Sequence, residues 1–141
     1  MAITYDSENI NFPNLKRRET SAWIKKIASS YNKKVGDIAY LFCNDEKILE
    51  INRQYLNHDF YTDIITFDYS EGDIISGDIF ISLDTVLSNS QMYKTDYKEE
   101  LYRVIIHGIL HLCGLEDKQE EDSKNMREAE NSAIRQINHN Q

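Results

Sequence analysis

The chain has 141 residues, of which 40% are hydrophobic, 28% charged and 11% aromatic, with five glycines and one proline. That suits one domain with one core and leaves no composition for long flexible linkers. The net charge of −8 disfavours a polyanion partner for the chain as a whole, no apolar run approaches the ~20 residues of a bilayer-crossing helix, and the N-terminus lacks the basic-then-apolar order of a signal peptide.

The pattern predicts a short strand over residues 2–6, with a second extended stretch over 9–12. Pro13-Asn14 reads as the start of a helix running to about Asn32, whose apolar stripe is Trp23, Ile24, Ile27, Ala28 and Tyr31. Residues 1–34 hold seven Lys/Arg against Asp6, Glu8 and Glu19, a local +4 that leaves −12 for the remainder. Within that segment Lys25 and Lys26 lie on either a solvated helix face or a binding patch. Ile38 to Cys43 is a continuous apolar run, expected as a buried strand. Asn44 or Asp45 caps a helix over about 45–57. Thr62 to Tyr69 and Ile74 to Ile81 read as an antiparallel pair turned at Ser70-Glu71-Gly72-Asp73. Ser82 begins a helix to about residue 92, and Thr95 or Asp96 caps a longer one ending near Cys113. Residues 119–138 form a polar helix with the stripe Met126, Ala129, Ala133, Ile134 and Ile137. The expectation is one α+β domain over residues 1–141, a small mixed sheet of about four strands with about five helices. Cys43 and Cys113 form no CxxC pair and read as small buried hydrophobes in a reducing cytoplasm.

The chemistry concentrates in His107-Gly108-Ile109-Leu110-His111-Leu112-Cys113-Gly114-Leu115-Glu116-Asp117. Two histidines at i and i+4 project from one face of a helix and reach one cation. Gly114 allows a sharp reversal, which brings Asp117 back towards them. Two nitrogens and one oxygen around Zn²⁺ leave the fourth position to water, the arrangement of a catalytic site, and zinc would make that water acidic enough to yield hydroxide near neutral pH. Asp117 has an alternative role as the cap of the following helix, with Glu116 ligating instead or the site keeping only two protein ligands. The spacing is also that of a zincin-like helix, HExxHxxGxxH. Gly108 stands where those proteases carry their glutamate base, which counts against peptide hydrolysis.

The same residues resemble the YbeY family of ribosomal RNA maturation endoribonucleases, whose usual motif is HGxLHLxGYDH. The match is at His107, Gly108, Leu110, His111, Leu112 and Gly114. The chain departs at Leu115, Glu116 and Asp117, the last standing for a third histidine. Upstream, Asn52, Tyr55, Asp59, Thr62, Asp63 and Phe67 resemble NxxYRxxDxPTDVLSF, and Gly77 to Ser82 resembles GDIxIS. The resemblance implies a zinc-dependent endoribonuclease selective for single strands, with one Zn²⁺ per chain. It implies a role in 16S rRNA 3′-end maturation and ribosome quality control, with rRNA and the small ribosomal subunit or its proteins as partners. A carboxylate at Asp117 would tolerate Mn²⁺ or Fe²⁺ better than a third imidazole.

The family arginine after the tyrosine is Leu56 here. His58, Arg53 and Arg103 are the candidate replacements: Arg103 and His58 as catalytic cations that stabilise charge developing on phosphate, Arg53 as an RNA contact. Each also has a plain surface or structural reading. Glu100, a further turn back on the face of Arg103 and His107, is the candidate to orient His107. The competing functions are a metallopeptidase and a non-catalytic ribosome-associated protein whose metal only holds the loop around residues 114–118.

Overall fold

The computed structural model describes residues 2–57 and 62–138. In chain order its elements are β1 (Ile3–Ser7), α1 (Arg17–Ser30), β2 (Lys34–Cys43), α2 (Asp45–Tyr55), β3 (Ile64–Asp68), β4 (Ile74–Ser82), α3 (Leu83–Met92), α4 (Tyr97–Leu112) and α5 (Glu120–Asn138). The sheet order is β1-β2-β4-β3. β1, β2 and β4 run parallel, and β3 returns antiparallel along β4 with Ile64 opposite Ile81 and Asp68 opposite Gly77. The expected α+β class, four strands and five helices are all present among the described residues. No helix there is long and apolar enough to cross a membrane.

Alternation sets the two faces of the sheet. Ile38, Tyr40 and Phe42 of β2 and Ile75, Ile79 and Ile81 of β4 join the main core with α1, α4 and α5. A smaller cluster of Cys43, Ile48, Ile51 and Ile65 lies under α2. The run Ile38–Cys43 is therefore not buried on both sides: Ala39 is exposed and Leu41 half-buried, because α2 packs on β3 and β4 and leaves the outer face of β2 largely open. Two buried polar atoms lock the helices down. Tyr40 Oη donates to the Ile105 carbonyl at 2.9 Å, and Trp23 Nε1 donates to the Ala133 carbonyl at 2.8 Å.

Three local expectations change. The strand ends at Ser7, and 9–12 is not a strand, because Asn9 takes φ +59° and turns the chain. Pro13-Asn14 does not start α1, which begins at Arg17. An irregular segment carries Phe12 and Leu15 onto the core instead, and Arg17 lies 4.3 Å over the Phe12 ring. Cys113 is only half-buried, whereas Cys43 is fully so, and both are free thiols. Elsewhere the capping chemistry operates as expected. Asn44 accepts from Lys47 N at 2.9 Å, Ser82 from Thr85 N at 3.3 Å and Asp96 from Glu99 N at 3.2 Å.

Candidate metal centre beside the edge strand

Helix α4 carries both motif histidines, and a close approach to the sheet positions it. A Cβ on Gly108 would lie 3.0 Å from Ile79 Cδ1 and 3.2 Å from Ile64 Cδ1. Glycine lets the helix sit directly on β3 and β4, and the space a protease glutamate would need is filled by these isoleucines. The helix then stops in a Schellman motif. Gly114 takes φ +108°, its N–H donates to the His111 carbonyl at 3.0 Å, and Leu115 N–H donates to the Leu110 carbonyl at 3.1 Å. The reversed chain brings Asp117 back over the helix, with its Oδ2 3.4 Å from His107 Nε2. Asp117 does not cap the next helix, since α5 begins at Glu120.

The other nitrogen of His107 is held from α5. Glu130 Oε2 lies 2.7 Å from Nδ1, and its Oε1 accepts from Arg103 Nη1 at 3.2 Å. A carboxylate on Nδ1 fixes the ring's tautomer and orientation and leaves Nε2 facing Asp117, the usual support for a ligating histidine. Glu100, expected in this role, sits elsewhere. It accepts from Thr95 Oγ1 at 3.0 Å and lies 3.8 Å from Arg103 Nε. Glu130 does have a signal in the sequence: it falls inside the apolar stripe, four residues after Met126 and four before Ile134.

His107, His111 and Asp117 line a cleft of about 360 Å³ together with Thr62, Asp63, Ile64 and Thr66 of the edge-strand segment. Two larger clefts, of about 450 and 530 Å³, lie elsewhere and hold no histidine or cysteine. Size therefore does not mark the site; chemistry does. Burial pushes the Asp63 carboxyl above the ordinary carboxylate range, while the nearby His107 charge opposes the shift. For His107, burial works against the imidazolium. The Glu130 hydrogen bond and the charges of Glu130, Asp117 and Asp63 outweigh it, and the net shift is upward. In the sequence Asp63 stands out only as part of a longer motif, because nothing in its spacing ties it to residues more than forty positions away.

The other predicted residues are more dispersed. Arg103 lines an adjoining cavity, and its guanidinium is held between Glu130 and Glu100, so its charge is already engaged. Lys25 and Lys26 are exposed on α1 and do not line the cleft. Arg53 lines a separate cleft on α2 with Glu46 and Glu50. His58 lies outside the described residues. Leu56, in the place of the family arginine, is partly exposed.

Among the described residues no three His, Cys, Asp or Glu side chains form a ready-made cation cluster. The donor chemistry nevertheless fits one. Ligand atoms bound tetrahedrally at about 2.0–2.2 Å are about 3.3–3.6 Å apart, and the 3.4 Å between His107 Nε2 and Asp117 Oδ2 matches that spacing. His111 lines the same cleft with an exposed side chain, one helical turn on.

The family model described as Endoribonuclease YbeY matches residues 3–138. A Bacteroides fragilis protein named Endoribonuclease YbeY is 61% identical over 134 residues, covering 95% of this chain and 96% of that protein. Its namesake from Bacteroides thetaiotaomicron is 60% identical, covering 95% and 98%, and that from Porphyromonas gingivalis 52%, covering 94% and 87%. The solution structure of TM1509 from Thermotoga maritima superposes with a TM-score of 0.69 at 24% identity, covering 96% of this chain and 89% of that one.

Proposed function

The chain belongs to the YbeY endoribonuclease family, and from that premise we propose that it hydrolyses single-stranded RNA with a divalent cation, zinc by donor type, held by His107, His111 and Asp117. The observation that carries this reading is His107, fixed through Nδ1 by Glu130 while Nε2 faces Asp117. His111 joins by turning its exposed ring towards that pair. A divalent cation bound there supplies Lewis acidity, which polarises a phosphoryl oxygen and makes water more acidic. Asp63 lines the same cleft with a carboxyl of raised proton affinity; it takes up the proton of the attacking water as that oxygen bonds phosphorus, and returns the proton to the ribose oxygen released when its P–O bond breaks. Arg103 keeps Glu130 in place instead of meeting the phosphate. The biological setting we propose is 3′-end maturation of small-subunit rRNA and ribosome quality control in the cytoplasm, in contact with the small subunit or its proteins.

The substrate class is tested by incubating the metal-loaded protein with single-stranded RNA, duplex RNA and a panel of peptides and unfolded proteins. Cleavage confined to single-stranded RNA is expected. Peptide cleavage, or no turnover of any substrate, contradicts the reading.

A pH dependence follows from His107. Its proton affinity is raised in the cation-free fold, so the proton's contribution to stability is complete below the ordinary histidine value of 6.5 and is lost as pH rises through the higher folded value. A cation must displace that proton from Nε2. Apparent cation affinity should therefore weaken by up to about tenfold per pH unit once pH falls below the raised His107 value, with proton release on binding. Calorimetric titrations in two buffers of different ionisation enthalpy measure both.

A further inference from the structure

A second cavity of about 210 Å³ opens beside the first and shares Asp63 and His107 with it. An RNA strand continuing from the cleaved bond on that side meets this cavity next. Its inner wall is closed to phosphate: Glu100 and Glu130 are both buried there, and their carboxylates are spent on Thr95, Arg103 and His107. Its outer wall is different. Tyr93, at the end of α3, is 62% exposed. A closed turn presents it, with Tyr93 N–H donating to the Asn89 carbonyl and Thr95 N–H to the Ser90 carbonyl, both at 2.9 Å. The Asn89 side chain lines the same wall with an amide able to donate and accept. Arg127 on α5 lines the same cavity, is exposed and has no ion-pair partner among the described residues. A flat ring, an amide and an exposed guanidinium around one mouth match the three parts of a nucleotide: base face, base edge and phosphate.

We propose that this mouth is a nucleotide subsite for the RNA residue next to the cleaved bond, with the base lying on Tyr93 towards Asn89 and its phosphate on Arg127. The proposal rests on the reading of the neighbouring cleft as an RNA-cleaving site. It also explains a single-strand preference in physical terms, because only an unpaired base can expose its face to an aromatic ring.

The test is equilibrium binding of a short labelled single-stranded RNA to the full chain, with chelator present so that the probe stays intact, across a range of salt. Tyr93→Ala is expected to weaken binding about tenfold with an unchanged salt slope, and Tyr93→Phe to restore it. Arg127→Ala is expected to reduce the slope of log affinity against log salt by about 0.7, the single-strand value for one phosphate contact. Arg135→Ala, an exposed cation on the same helix away from the cavity, is expected to leave both unchanged. If Tyr93→Ala and Arg127→Ala bind as wild type does while the metal-loaded wild type cleaves RNA, the subsite is refuted and the cleavage reading stands. Equal losses in Arg127→Ala and Arg135→Ala also refute it, since only overall charge would then be acting. A folded wild type that neither binds nor cleaves RNA overturns both.

Discussion

Glu130→Ala is expected to destabilise the protein by about 3–5 kcal/mol, the usual cost of removing one member of a buried ion pair, against a total of about 5–15 kcal/mol for a domain. The Glu130 side chain is 8% exposed and holds two groups at once, Arg103 Nη1 at 3.2 Å and His107 Nδ1 at 2.7 Å. Without it, Arg103, 13% exposed, keeps only Glu100 at 3.8 Å. Its Nε is already buried without a hydrogen bond, so a second uncompensated group would be left in the interior. A urea titration should show the loss as a lower midpoint with an unchanged slope. Glu130→Gln separates charge from shape. Its amide oxygen satisfies one of the two donors but not both, so an intermediate stability is expected. In either variant, RNA cleavage should fall by about 10- to 100-fold, the range for carboxylates that orient a ligating histidine, if the proposed centre holds. Stability and activity both at wild-type level would show that the Glu130–His107 contact carries neither.

His111→Ala should behave in the opposite way. His111 is exposed at the last turn of α4, and its side chain makes no hydrogen bond or ion pair among the described residues. Its removal is expected to change stability by less than about 0.5 kcal/mol. Cleavage of single-stranded RNA should nevertheless fall by more than the roughly 100-fold that an orienting residue costs, because the proposed metal centre would lose a direct ligand. The contrast between the two variants distinguishes a scaffold residue from a working one. A large loss of stability in His111→Ala would mark the residue as structural, and retained cleavage would remove it from the site.

Local chemistry was legible in the sequence wherever one segment contained all of it. The caps at Asn44, Ser82 and Asp96, the stop at Gly114 and the i, i+4 histidines each depend on residues within one turn of one another. The antiparallel β3–β4 pair was legible for the same reason, since a short turn joins its strands. The insertion of β4 between β2 and β3 was not, because parallel pairing depends on crossovers that no local pattern encodes. Pro13-Asn14 misled because a start signal for a helix competes with the burial of Phe12 and Leu15, and burial won.

At the site, the limits have the same cause. Glu100 was the obvious partner for His107 by helical spacing, since both lie on α4. The partner in the fold, Glu130, comes from α5, 23 residues further on, and only its position in an apolar stripe hinted that it is buried. Asp63 comes from the segment leading into the edge strand and meets the histidine helix only because Gly108 lets the helix settle against β3. Arg103 was rightly placed on the same face as His107. Its charge, however, is neutralised by two buried carboxylates, a fact of packing that helical geometry alone does not reveal.

Metal content tests the central claim most directly. Wild type and Asp117→Ala, purified identically and dialysed against the same cation-free buffer, should differ: one divalent ion per wild-type chain, and substantially less in the variant. A full complement in Asp117→Ala, or none in a wild type that still cleaves RNA after chelation, would contradict the assignment of His107, His111 and Asp117 as a single metal centre.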